Sequence, residues 1–174
     1  MRHRATPLLL AAVGFFLLAA RPAAPQELPT VIPLPEHPRP DFQRAEWVNL
    51  NGDWAFRFDR DGSGERERWL EGAPAGFPLT IRVPFSWGSR LSGVPDEADV
   101  AWYARTVRVP EGWKGKRVFL VVGASDWRTS GWLDGEPIGA HQGGYTPFEL
   151  DLTKAAKPGR DQVHLRKKGG AWVI

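Results

Sequence analysis

The sequence predicts an all-β fold made of short antiparallel strands. Three features point there. Apolar residues alternate with polar ones in short runs, Gly, Pro and Asp separate those runs, and no window sustains a capped 3.6-residue apolar period. Strands of that kind bury a core by closing into a sandwich or a barrel.

Along the chain, the first segment is an address rather than an element of the fold. Met1–Pro7 is basic, with Arg2, His3 and Arg4. Leu8–Ala20 is an apolar run of 13 residues, and Pro22-Ala23-Ala24-Pro25 is a small-residue exit. That order describes a secretory signal peptide over residues 1–26, since a membrane-spanning helix wants about 20 apolar residues. The expected location is secreted or periplasmic. Residues 27–41 carry Pro29, Pro33, Pro35, Pro38 and Pro40 and read as an extended lead-in.

The strand signals begin after Asp41. Trp54, Phe56 and Phe58 alternate with Ala55, Arg57 and Asp59, which is the pattern of a half-buried strand. Residues 65–71 allow a helical turn or two. Leu79–Val83 is a short strand candidate. Tyr103, Arg105, Val107 and Val109 alternate with Trp102, Ala104, Thr106 and Arg108. Val118–Val122 is continuously apolar, as in a strand buried on both sides. In residues 132–138, Asp134-Gly135 stands between two strand-like pieces, a strong hairpin signal. Phe148, Leu150 and Leu152 give a further strand, and Val163 with Leu165 gives the last.

Composition removes several function classes. The 174 residues are 42% hydrophobic and 25% charged, an ordinary globular balance. With no cysteine there can be no disulfide framework, cysteine-ligated metal or thiol nucleophile. The formal charge of +3 comes from Arg2, Arg4 and Arg21, which leaves the rest of the chain balanced at 20 basic and 20 acidic residues. A domain that reads a phosphate backbone carries its charge on the folded surface, so no nucleic-acid partner is expected. No membrane partner is expected after signal cleavage, and no cofactor or metal.

Nine tryptophans are an unusual share for this length. In a β-sandwich a tryptophan's default role is to fill the core, but a flat indole in a concave site also stacks on a sugar ring. Trp87 and Trp127 are the candidate platforms, because each neighbours Gly, Ser or Asp in a loop. Asp126, beside Trp127, is a candidate sugar ligand. His141 and Tyr145 flank Gln142-Gly143-Gly144 and offer donors, although a plain hairpin turn accounts for them equally well. Other motifs fail on inspection. Residues 59–65 open like a calcium loop, but Leu70 stands where a bidentate Glu belongs. Gly123-Ala124-Ser125-Asp126-Trp127 nearly spells a nucleophile elbow but lacks the second glycine. Asp96, Glu97 and Asp99 read as a solvated turn rather than a catalytic carboxylate pair.

Several stretches, taken in order, resemble the N-terminal sugar-binding domain of family-2 glycoside hydrolases, the β-galactosidase and β-glucuronidase group. They are residues 50–56, 83–87, 102–105, 113–118, 132–135 and above all 139–153, Gly-Ala-His-Gln-Gly-Gly-Tyr-Thr-Pro-Phe-Glu-Leu-Asp-Leu-Thr. The resemblance covers about residues 42–166 and implies a jelly-roll β-sandwich. It implies that the catalytic glutamates lie on a separate barrel that follows an immunoglobulin-like domain. Those missing domains and a β-glycoside are the implied partners, and no catalytic residue is expected in this chain. In some β-galactosidases an acid just after the hairpin resembling residues 132–139 contacts the sugar. Here His141-Gln142-Gly143-Gly144 stands at that place.

The family pattern is lost after Arg166, so residues 167–174 are expected to be an aberrant tail left by a frameshift or early stop, with the sandwich short of its last strand. The favoured reading is the sugar-binding piece of an exported hydrolase, inactive alone. A free-standing carbohydrate-binding module and a protein-binding scaffold are the alternatives.

Overall fold

A computed structural model describes residues 32–36, 44–71 and 76–169, the last strand through its backbone. The expected signal peptide, residues 1–26, and residues 170–174 of the expected tail lie outside the described residues. Within the lead-in, the side-chain amides of Asn49 and Asn51 donate to the carbonyls of Leu34 and Pro33 at 3.0 and 3.1 Å. No helix among the described residues is long and apolar enough to cross a membrane.

Among the described residues eight strands form: β1 (Gly52–Phe58), β2 (Leu79–Val83), β3 (Ala101–Arg108), β4 (Phe119–Val122), β5 (Arg128–Leu133), β6 (Glu136–Gln142), β7 (Phe148–Asp151) and β8 (Asp161–Gly169). Short 3₁₀ turns occupy Arg90–Ser92 and Glu111–Trp113. Six strands make one sheet in the order β2-β1-β3-β8-β5-β6, and β4 pairs with β7 in a second. Every pairing is antiparallel. The all-β sandwich predicted from the alternation is therefore the fold.

The period-2 pattern of β1 explains how it sits. Trp54 and Phe56 are buried on the inner row, with Phe58 partly buried beside them. Their register partners, Ile81 on β2 and Tyr103 on β3, are fully buried too. On the outer row, Asp53 stands opposite Arg82, whose Nε and Nη2 donate to Oδ1 and Oδ2 at 2.9 and 3.2 Å. The second sheet closes the inner face through Val122, Phe148 and Leu150, which join the Phe56–Tyr103 cluster. At Gly131 of β5 an added Cβ would stand 2.8 Å from Leu150, so β7 rests directly on the hairpin. Asp134 and Gly135 turn that hairpin at φ of 50° and 83°, as the Asp-Gly pair predicts.

Residues 65–71 form the turn or two expected of them, closed by Glu67 N–H to the Ser63 carbonyl and Trp69 N–H to the Gly64 carbonyl. Two expectations change. Val118–Val122 is not buried on both sides. β4 lies in the two-stranded sheet, and its outward Val121 is 55% exposed. The domain does not stop at Arg166. Lys167, Lys168 and Gly169 continue β8, opposite Tyr103, Trp102 and Ala101 on one side and Gly131, Ser130 and Thr129 on the other.

The 59–71 segment covers the outer face of β3 and β5. Trp102 is fully buried there, stacked on Trp132 at 5.5 Å and edge-on to Trp69. Its indole N–H donates to Asp59 Oδ2 at 2.9 Å, while Asp59 Oδ1 accepts the Gly64 N–H. This is why residues 101–104 are buried on both sides of the strand.

At the end of β7, Asp151 holds the next turn. The Thr153 hydroxyl and its N–H (2.8 Å from Oδ1), then Arg117 (3.1 Å from Oδ2), hold its carboxyl down at about 2. A depressed carboxyl stabilises the fold above its unfolded value near 3.8, and that contribution is lost as pH falls through the folded value near 2. A carboxyl-carbon NMR titration is expected to place the Asp151 midpoint near 2. Asp151→Asn is expected to flatten the acid-unfolding curve in that window alone. A midpoint near 4, the ordinary aspartate range, would show that the turn does not hold the carboxylate.

Candidate functional site

β5 and β6 form a hairpin with Arg128 opposite Gln142 and Thr129 opposite His141. That register carries the loop before β5, residues 123–127, and the loop after β6, residues 143–147, to the same end of the sheet. The two loops are fastened together. The Gly143 N–H donates to the Trp127 carbonyl at 2.7 Å. At Gly144 an added Cβ would stand 2.7 Å from Asp126 Oδ1, nearer than real Cβ atoms come, so the bare backbone is the seat of the carboxylate. Beneath the loop, the hydroxyls of Ser125 and Thr129 lie 2.7 Å apart, both residues buried. The Asp126–Trp127 peptide is cis.

Above this base two rings face solvent. Trp127 is 60% exposed and Tyr145 is 86% exposed. Their backbones are adjacent because the two loops interlock. His141 turns the other way: its ring stacks on Phe148 at 4.1 Å, nearly parallel, and its Nε2 is buried with no hydrogen-bond partner among the described residues. Three of the five residues named from the sequence, Asp126, Trp127 and Tyr145, thus belong to one loop pair, and His141 stands on β6 at its base. Trp87 does not join it. Its neighbours are Phe56 at 5.9 Å, Phe58 at 5.7 Å and Tyr103 at 6.2 Å, and it packs against the core cluster.

The sequence reading missed Ser125 and Thr129 as the base of the site. Two small hydroxyl residues four apart across a loop are too common to signal a buried pair. The Gly143-Gly144 pair was visible as a tight loop, but the carboxylate that requires Gly144 comes from another part of the chain.

The remaining motifs resolve in local terms. Ser125 is fully buried and bonded to Thr129, so it cannot meet a substrate as a nucleophile. Both oxygens of Asp59 serve the 59–71 segment and Trp102, and the Ser63 hydroxyl, then the Ser63 N–H 3.2 Å from Oδ1, lower the Asp61 carboxyl. Among the described residues no group of three or more His, Asp or Glu is placed to hold a metal ion. Asp96, Glu97 and Asp99 are exposed. Arg60 lies 4.0 Å from Asp96 and donates to the Glu97 carbonyl at 2.9 Å.

Comparison with known proteins matches this architecture. Residues 47–167 fit the model of the glycosyl hydrolases family 2 sugar binding domain. The chain is 33% identical over 123 residues to a β-glucuronidase of Paenibacillus borealis, covering 70% of this chain and 20% of that protein. It is 31% identical over 121 residues to a β-galactosidase of Thermoanaerobacter pseudethanolicus, covering 64% and 15%. The crystal structure of Ruminococcus gnavus β-glucuronidase superposes with a TM-score of 0.62 at 29% identity, over 70% of this chain and 21% of that one. The chain therefore spans about a fifth of the length of the β-glucuronidases it matches. With its jelly-roll sandwich and its match over residues 47–167, the chain belongs to glycosyl hydrolase family 2, of which it carries the sugar-binding domain.

Proposed function

We propose that this chain serves an exported glycoside hydrolase of the β-glucuronidase and β-galactosidase kind by binding the sugar, while bond cleavage belongs to domains outside these residues. The observation that carries this reading is the pair of exposed rings, Trp127 and Tyr145, on two loops locked together by Gly143 and Gly144. A large apolar ring held in water on a braced loop costs stability unless a ligand covers it, and an indole face suits the C–H face of a pyranose. The immunoglobulin-like and barrel domains implied by the resemblance are the partners on which this sandwich would lean.

Titration with methyl β-glycosides, followed by the Trp127 indole and Tyr145 ring NMR signals, the second of which remains in a Trp127 variant, tests the binding. Trp127→Ala is expected to weaken it about tenfold, the worth of one aromatic contact of ~1.4 kcal/mol. Unchanged affinity would remove Trp127 from the site. The chain alone is expected to leave aryl β-glycosides intact, and turnover by it would overturn the division of labour.

Export rests on the basic head, the 13-residue apolar run and the small-residue exit of residues 1–26. Protein recovered from the medium or periplasm is expected to begin between Arg21 and Glu27. An intact Met1 on the recovered chain would refute cleavage.

A further inference from the structure

We propose that the loop pair selects a neutral pyranosyl ring over a uronate, with the Asp126 carboxylate as the selecting group. The proposal rests on the sugar-binding reading above and adds the charge of the sugar.

Asp126 adjoins both exposed residues through the backbone: Trp127 follows it in the chain, and Tyr145 follows the Gly144 on which its carboxylate rests. The side chain is exposed, and among the described residues no ion pair reaches it. Between residues 123 and 127 and between 142 and 148 the sequence holds no other Asp, Glu, Lys or Arg. The nearest cation along the chain, Arg128, lies in the β5 row of Ser130 and Trp132, opposite to the row of buried Thr129 and Leu133. His141 stacks on Phe148, and its Nε2 is buried against Gly143, 3.3 Å from where a Cβ would stand, out of contact with solvent.

An ionised carboxylate accepts hydrogen bonds and donates none. A pyranose laid against the exposed indole presents hydroxyl donors around its rim, and these match it. A uronate replaces the C6 hydroxymethyl by a second carboxylate, which offers no donor and brings a like charge within a few ångströms. Partial screening by water leaves a like-charge contact at that range worth at least about a fivefold loss of affinity. The selectivity is therefore mainly repulsive.

The test compares methyl β-D-glucopyranoside, methyl β-D-galactopyranoside and methyl β-D-glucuronide against the chain at neutral pH and low salt, followed by the Trp127 and Tyr145 NMR signals. The glucoside and glucuronide differ only at C6. The neutral glycosides are expected to bind at least about fivefold tighter. Asp126→Asn keeps the shape that rests on Gly144, and its fold is checked by thermal unfolding. It is expected to bring the glucoside and glucuronide within about twofold of each other, by tightening the glucuronide. In the unmodified chain, added salt is expected to narrow the gap as well. Equal or tighter glucuronide binding overturns the selectivity and leaves sugar binding standing, as does a preference that survives in Asp126→Asn. No response to any of the three glycosides, or a response that Trp127→Ala leaves unchanged, overturns the sugar-binding reading of these loops and the selectivity with it.

Discussion

Phe56→Ala is expected to lower folding stability by about 4 kcal/mol. Phe56 is fully buried, with the rings of Phe58 at 4.8 Å, Tyr103 at 5.0 Å and Trp87 at 5.9 Å around it. Its strand is paired on both sides, by β2 and by β3, so the backbone cannot move in to fill the space. The cost is then the lost transfer energy plus most of the cavity term. Urea unfolding is expected to show a lower midpoint with an unchanged slope. A loss under about 1 kcal/mol would mean that the three rings collapse into the gap, and that the inner row is softer than its packing implies. Trp87 belongs to the same cluster, so Trp87→Ala reads out stability before it reads out any ligand.

Gly64→Ala adds a single methyl group and is expected to cost about 3 kcal/mol. The new Cβ would press on Trp102 Nε1, with Trp69 Cε3 at 2.8 Å and Asp59 Oδ2 at 2.9 Å. Those atoms are the Trp102–Asp59 hydrogen bond and the indole packed beside it. Making room breaks the bond, and it leaves a buried N–H and a buried carboxylate without each other. Gly123→Ala is the control, since nothing lies within 4 Å of its Cβ and its φ is ordinary. It is expected to be near neutral. Equal unfolding midpoints for the two variants would show that the 59–71 segment is not seated on β3 as described.

The sequence carried the strands wherever one face meets the core and the other meets water. Trp54, Phe56 and Phe58 announce β1 because their spacing is the pleat itself, and Asp134-Gly135 announces its hairpin because few other pairs adopt both positive φ angles. What remained hidden depends on a third body. Trp102 stands on the row of β3 opposite to the core-facing Tyr103, and what buries it is the roof of residues 59–71, which alternation within β3 cannot show. Val118–Val122 looked doubly buried because an apolar run does not say how many layers cover it, and Val121 faces outward.

The same limit governs the site. Asp126, Trp127, His141 and Tyr145 were legible as loop residues of suggestive chemistry. That Asp126, Trp127 and Tyr145 meet while His141 is drawn onto Phe148 depends on the β5–β6 register and on the carboxylate seated over Gly144, which are long-range facts. Trp87 shows the converse. A loop position with Gly and Ser neighbours looks open, yet its indole folds back on Phe58 and Tyr103.

The order of assembly follows from where β8 lies. It is last in sequence among the described strands, yet it is fourth in the six-stranded sheet, between β3 and β5. Until residues 161–169 arrive, β2-β1-β3 and β5-β6 are two leaves with no backbone bond between them and with facing edges unpaired. A chain made from its N-terminus therefore has to wait for β8 before the large sheet can close, so this sheet closes all at once rather than strand by strand. The closing contacts join residues far apart in the chain, such as Ala101 and Gly169, which places folding in the milliseconds-to-seconds class of non-local β topologies. During that wait the two open edges are the surfaces most exposed to capture by another copy of the chain.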